Sequence, residues 1–134
     1  MNQEKILKAN NEYLNIIPFT NNLIYEILKH EIIISRGGAT TISEIMALEK
    51  VAIYIPSPNV TGDHQRKNVE KIIEDNCGEM ILEKDLSAES LRNKIENLLS
   101  NEKKKQEIKE NLRKIDKQNI TSKIVDEIWR VYHE

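Results

Sequence analysis

The chain has 134 residues, enough for one domain able to bury roughly two thirds of the surface that its unfolded form exposes. Twenty Lys and Arg residues face 22 Asp and Glu, and a net charge of −2, mixed along the chain, excludes a nucleic-acid binder that relies on a basic face. A single cysteine, Cys77, excludes an intrachain disulfide and fits a reducing compartment, no apolar run approaches the ~20 residues that span a bilayer, and the first residues lack a secretory signal.

Short apolar runs alternate with helix-like stretches along the chain. Tyr13-Leu14-Asn15-Ile16-Ile17 reads as a strand closed by Pro18. Asn21 or Asn22 is placed to cap a helix running to about Lys29, with Leu23, Ile24, Ile27 and Leu28 turned inward. Glu31-Ile32-Ile33-Ile34-Ser35 has the continuous β-branched character of a strand buried on both faces, and Gly37 and Gly38 break it. A helix over 40–49 turns Ile42, Ile45, Met46 and Leu48 mostly inward, and Val51-Ala52-Ile53-Tyr54-Ile55 is the next strand, ended by Pro56 and Pro58. A helix over 63–74 carries Val69, Ile72 and Ile73, Gly78 punctuates, and Glu79-Met80-Ile81-Leu82 is the last strand. Ser87 caps a helix with Leu91, Ile95, Leu98 and Leu99. Two more helices are expected, one with Ile108, Leu112 and Ile115, the other with Ile120, Ile124, Val125, Ile128, Val131 and Tyr132. The run Lys103-Lys104-Lys105 reads as a solvated helix face; an anionic membrane surface is its natural partner if it binds anything.

This alternation predicts an α/β fold, a parallel sheet with right-handed crossovers, as one unit over 1–134 with no repeat, linker or second-domain boundary. Ligands of open α/β sheets sit outside the carboxyl ends of the strands. Three loops should therefore line one crevice: Pro18-Phe19-Thr20, residues 35–41 and residues 56–65.

Two of these loops carry candidate chemistry. In Ser35-Arg36-Gly37-Gly38-Ala39-Thr40-Thr41-Ile42-Ser43-Glu44, a buried strand runs through two glycines into a helix. The first turn of such a helix offers unpaired N–H groups and a positive dipole end, which suit phosphate; a simple tight turn has the same sequence. The spacing is neither a Walker loop nor GxGxxG. Thr41-x-x-Glu44 fits a capping box, the reading its spacing favours, and the alternative is that Glu44 is a carboxylate accepting from sugar hydroxyls. In Pro56-Ser57-Pro58-Asn59-Val60-Thr61-Gly62-Asp63-His64-Gln65-Arg66-Lys67-Asn68, Gln65 and Asn68 are three apart and share a helix face. Their amides suit sugar hydroxyls, or form a polar first turn in solvent. Phe19, the sole phenylalanine, is either core or a stacking surface for a flat ring. His64 lacks a nearby Cys or His and is not expected to hold a metal. No nucleophile–base pair stands out.

Taken together and in this order, these three motifs resemble the C-terminal domain of the MurG family, the peptidoglycan N-acetylglucosaminyltransferases, over roughly residues 13–100, and Met80-Ile81-Leu82-Glu83-Lys84-Asp85-Leu86 adds to the likeness. The resemblance implies a Rossmann-like domain, half of a GT-B pair facing each other across a cleft. It implies transfer of N-acetylglucosamine from UDP-N-acetylglucosamine (UDP-GlcNAc) to an undecaprenyl-linked acceptor, giving lipid II. By the same resemblance, Phe19 lies against the uracil and the backbone of Thr20 bonds the base edge. Gly38 and the segment Ala39, Thr40, Thr41, Ile42 and Ser43 meet the diphosphate, and Glu44 accepts from the ribose. Gln65 holds the sugar hydroxyls, with His64 and Asn68 beside it. No cofactor or metal is implied, nor any catalytic residue in this chain. The acceptor domain and the opening strand of the donor domain are absent from this sequence, so the chain is expected to be inactive alone. It would act as a fragment, with a second polypeptide, or as a module that binds nucleotide sugar or protein. The family likeness places it in the cytoplasm, peripheral at the inner face of the cell membrane.

Overall fold

The computed structural model describes residues 14–58 and 63–115. β1 (Ile32–Ser35), β2 (Val51–Tyr54) and β3 (Glu79–Met80) form a parallel sheet in the order β1-β2-β3. The ladder runs from Ile32↔Val51 to Ser35↔Tyr54, and from Ile53↔Glu79 to Tyr54↔Met80. It extends beyond the strands, where Ile55 N–H meets the Ser35 carbonyl at 2.7 Å and Ile81 N–H meets that of Tyr54 at 2.9 Å. Around the sheet lie α1 (Leu23–Lys29), α2 (Ala39–Ala47), α3 (His64–Glu74), α4 (Ala88–Ser100) and α5 (Glu102–Lys114).

β2 takes the centre because every one of its residues is apolar or aromatic, and all four are fully buried. Ile27, Ile42, Ile45, Val69, Ile72, Leu98, Ile108 and Leu112 close over the sheet from the five helices. The expected burial of the 31–35 strand on both faces does not hold. β1 pairs with β2 alone among the described residues, and Ile34 is 46% exposed. A continuous apolar run reports hydrophobicity, not the number of neighbours a strand finds.

The first expected strand is also corrected. Residues 14–17 lie outside the sheet, with Leu14 and Ile17 exposed, while Tyr13 lies outside the described residues. A short apolar run with β-branched residues is not by itself enough to set a strand. In α1 the cap is Asn22, whose Oδ1 accepts from the Tyr25 N–H at 3.1 Å. Of its expected inward residues only Ile27 is buried; Leu23, Ile24 and Leu28 are exposed, as is Leu99 of α4. Ser87 caps α4 as expected, in a reciprocal box with Ser90.

The lysine run is not a uniformly solvated face. Lys105 is only 3% exposed. Its ammonium pairs with Glu31 and, at 2.6 Å, with Glu102, and donates to the Leu99 carbonyl at 3.3 Å. Lys104 pairs with Glu79, so two of the three charges are engaged within the fold. The helix expected over 120–132 lies outside the described residues.

Candidate functional site

The carboxyl ends of β1 and β2 open into two loops that meet. Gly37 has φ of +98°, which disfavours any residue with a Cβ. A Cβ there would also lie 2.8 Å from Val69 Cγ2 and 3.4 Å from the Gln65 carbonyl oxygen. Gly37 therefore seats the β1–α2 loop directly on the first turns of α3, bringing the two motifs into contact. Gly38 is different: it caps α2 with φ of −65°, and nothing lies within 4 Å of where its Cβ would be. Among the described residues, the side of Gly38 that a Cβ would occupy is open.

No side chain caps α2, and its first internal bond runs from Ile42 N–H to the Gly38 carbonyl at 3.0 Å. The N–H groups of Ala39, Thr40 and Thr41 precede that bond and have no helical acceptor, so they add to the positive end of the helix dipole. Ala39 and Thr40 are exposed, and Thr41 and Ser43 half-buried. Ser43 Oγ donates to the Ala39 carbonyl at 2.9 Å, which leaves its lone pairs free. Ile42 offers neither a free donor nor an exposed side chain, since its N–H is bonded and its side chain is in the core.

The expected capping role of Glu44 does not hold. The helix begins at Ala39, so Glu44 stands in its second turn, too late to reach back to a cap at Gly38. Glu44 is half-buried with no cation paired to it among the described residues, and desolvation pushes its carboxyl above the usual range.

α3 starts from Asp63, held in the left-handed region at φ of +57°, a conformation that Asp tolerates better than most residues. His64 is exposed, while Gln65 and Asn68 are half-buried. Gln65 Oε1 accepts from the Ser57 N–H at 2.8 Å, tying α3 to the β2–α3 loop. Phe19 is 78% exposed and so is not core. Thr20 Oγ1 accepts from the Asn22 N–H at 3.1 Å, a local bond to the cap of α1.

Beside these residues lies a cleft of about 560 Å³ lined by Pro56, Pro58, Asp63, Arg66, Leu82, Glu83 and Lys84. Of its lining residues, Glu83 pairs with Arg36, and Arg66 pairs with Glu70 at 2.8 Å. None of these charged residues is singled out by the spacing of the motifs; the one signal was that Arg36 and Arg66 fall within the two sequence motifs, 35–44 and 56–68. Among the described residues, no three His, Cys, Asp or Glu side chains are grouped to hold a metal, and no helix is long and apolar enough to cross a membrane.

Parallel strands joined by helical crossovers, with a crevice at the strand carboxyl ends, define a Rossmann-like α/β domain. The chain belongs to the glycosyltransferase family 28 C-terminal domain family, whose model matches residues 1–128. It is 41% identical over 102 residues to the UDP-N-acetylglucosamine--N-acetylmuramyl-(pentapeptide) pyrophosphoryl-undecaprenol N-acetylglucosamine transferase of Bacillus cytotoxicus, an overlap of 76% of this chain and 28% of that one. The enzyme of the same name from Oenococcus oeni is 36% identical over 133 residues, 99% of this chain and 36% of its own. The fold matches the crystal structure of Acinetobacter baumannii MurG with a TM-score of 0.71 at 24% identity, covering 96% of this chain and 39% of that one. The chain thus spans 28% and 36% of the two curated relatives' lengths.

Proposed function

We propose that this chain is the UDP-N-acetylglucosamine-binding part of a transferase that moves N-acetylglucosamine onto an undecaprenyl-linked acceptor, the step that makes lipid II for peptidoglycan. The observation that carries this reading is the uncapped start of α2, open above Gly38 and seated through Gly37 against Gln65. It supplies backbone donors and a dipole end where a diphosphate is held, beside an amide suited to a sugar. The relatives' shared name supports the choice of sugar nucleotide.

In this reading Phe19 covers the uracil and the Thr20 backbone meets the base edge. Ala39, Thr40, Thr41 and Ser43 face the diphosphate, and Glu44 accepts from the ribose hydroxyls. His64, Gln65 and Asn68 surround the sugar. As the bond to the anomeric carbon breaks, negative charge builds on the departing UDP, and the end of α2 stabilises it without moving a proton. A base and an oriented acceptor must come from elsewhere, either from a preceding acceptor domain of the same protein or from a second polypeptide. Among the described residues β1 pairs with β2 alone and Ile34 is exposed, which favours a further strand supplied in one of these ways. In this reading the assembled enzyme works at the inner face of the cytoplasmic membrane, where a lipid-linked acceptor and a cytoplasmic sugar nucleotide meet.

Calorimetric titration with UDP-N-acetylglucosamine tests the reading. The wild-type chain should bind, and Glu44→Ala or Gln65→Ala should each weaken binding about tenfold, the worth of one or two hydrogen bonds at such a site. An absence of heat from protein shown to be folded would sink it.

A further inference from the structure

The β2–α3 loop begins Pro56-Ser57-Pro58, and the two prolines have no backbone N–H. Ser57 therefore carries the sole main-chain donor of this tripeptide, and that donor meets Gln65 Oε1 at 2.8 Å. A backbone N–H only donates, so the atom facing it must be the amide oxygen; the usual ambiguity between the two ends of a glutamine is removed. The Nε2 amino group is left without a partner among the described residues. On its other side the Gln65 residue abuts Gly37, whose missing Cβ would stand 3.4 Å from the Gln65 carbonyl oxygen and 3.7 Å from its Cβ. Gln65 is thus held from both loops at once.

We infer that Ser57 is a positioning residue that locks the Gln65 amide so that it presents only N–H donors to the sugar of the bound nucleotide. This rests on the donor-site reading above. The amide then selects for an acceptor oxygen at that point of the sugar, a hydroxyl lone pair or an acyl carbonyl, and that oxygen's own hydrogen, if present, must be taken by another group. Because the orientation is set before ligand arrives, little ordering of the side chain remains to oppose binding.

Gln65→Glu separates this from its opposite. An ionised carboxylate is the same size and still accepts from Ser57 N–H, but it has no donor to offer. The readout is the ratio of affinity for UDP-N-acetylglucosamine to affinity for UDP, measured at neutral pH, so that any repulsion from the shared diphosphate cancels. Wild type should favour the sugar nucleotide. In Gln65→Glu that ratio should fall about tenfold or more, at least as far as in Gln65→Ala, because a lone pair now faces the sugar oxygen. Ser57 N–H should stay protected from hydrogen exchange in Gln65→Glu and lose protection in Gln65→Ala. A ratio unchanged or raised in Gln65→Glu would overturn the inference while leaving the nucleotide site intact, as would a wild-type ratio near one. Failure of wild type to bind UDP would overturn the donor-site reading itself, and the inference with it.

Discussion

Two adjacent glycines do opposite things in the candidate site. Gly37 is required by the fold, since its backbone is left-handed and its missing Cβ leaves room for Val69. Gly38 is not, since its φ is ordinary and the space beside it is empty. Gly37→Ala should therefore lower unfolding stability by roughly 2–4 kcal/mol, from backbone strain plus overpacking. Gly38→Ala should cost about 1 kcal/mol or less, the ordinary price of a poorer cap, yet place a methyl where the diphosphate is proposed to sit. Urea denaturation of both variants, with nucleotide titration of the second, checks the pair; equal destabilisation would refute the distinction. A sequence shows two glycines and a turn; only the packing of Val69 and Gln65 against one of them tells which is structural.

At the level of elements, one carboxylate ties three of them together. Glu79 at the start of β3 meets Lys94 of α4 at 3.0 Å and Lys104 of α5. Burial acts to raise its carboxyl, but the hydrogen bonds from Lys104 and Lys94 outweigh it, and the group is held below the usual range. A depressed carboxyl in the folded state means that the unfolded chain binds more protons, so stability rises with pH. The contribution is fully present above the ordinary carboxylate value of 4.5 and is lost as pH falls through the lower folded value. Glu79→Gln should destabilise by about 0.5–1 kcal/mol at neutral pH, the screened worth of partly exposed pairs. Its unfolding curve should converge on wild type as pH falls below that window; a gap independent of pH would show that packing, not charge, is responsible. Of the helices around this staple, α4 was legible from its cap at Ser87 and α5 from Ile108 and Leu112. The burial of Lys105 was not, because a lysine run has the same pattern whether it meets water or Glu31.

For the whole molecule, the described apolar surface is distributed unevenly. Leu14, Ile17, Phe19, Leu23, Ile24, Leu28 and Ile34 are all exposed and all lie within residues 14–34. Large apolar groups exposed within one stretch of chain mark a surface that gains by being covered. The chain also spans only 28% and 36% of two relatives' lengths. We expect it to transfer no N-acetylglucosamine to a lipid-linked acceptor alone, and to gain activity when a polypeptide carrying the acceptor domain and the opening donor-domain strand is added. Turnover by the chain alone, followed with labelled UDP-N-acetylglucosamine, would contradict this.

Sequence by itself determined the alternation of strands and helices from residue 23 onward, the parallel class of the sheet, two of the three loops expected at its carboxyl edge and the family to which they belong. These depend on periodicity, glycine and proline placement and motif order, all local along the chain. Tertiary structure alone decided that β2, not β1, is the doubly buried strand, that residues 14–17 stay out of the sheet, that α2 starts at Ala39 so that Glu44 is no cap, and that Gln65 turns its oxygen to Ser57. Each of these depends on which distant residue occupies the neighbouring space: a strand partner, a helix start, a backbone donor across a loop. A residue's own identity does not carry that information, because the same side chain is satisfied by water, by core or by ligand until the fold supplies one of them.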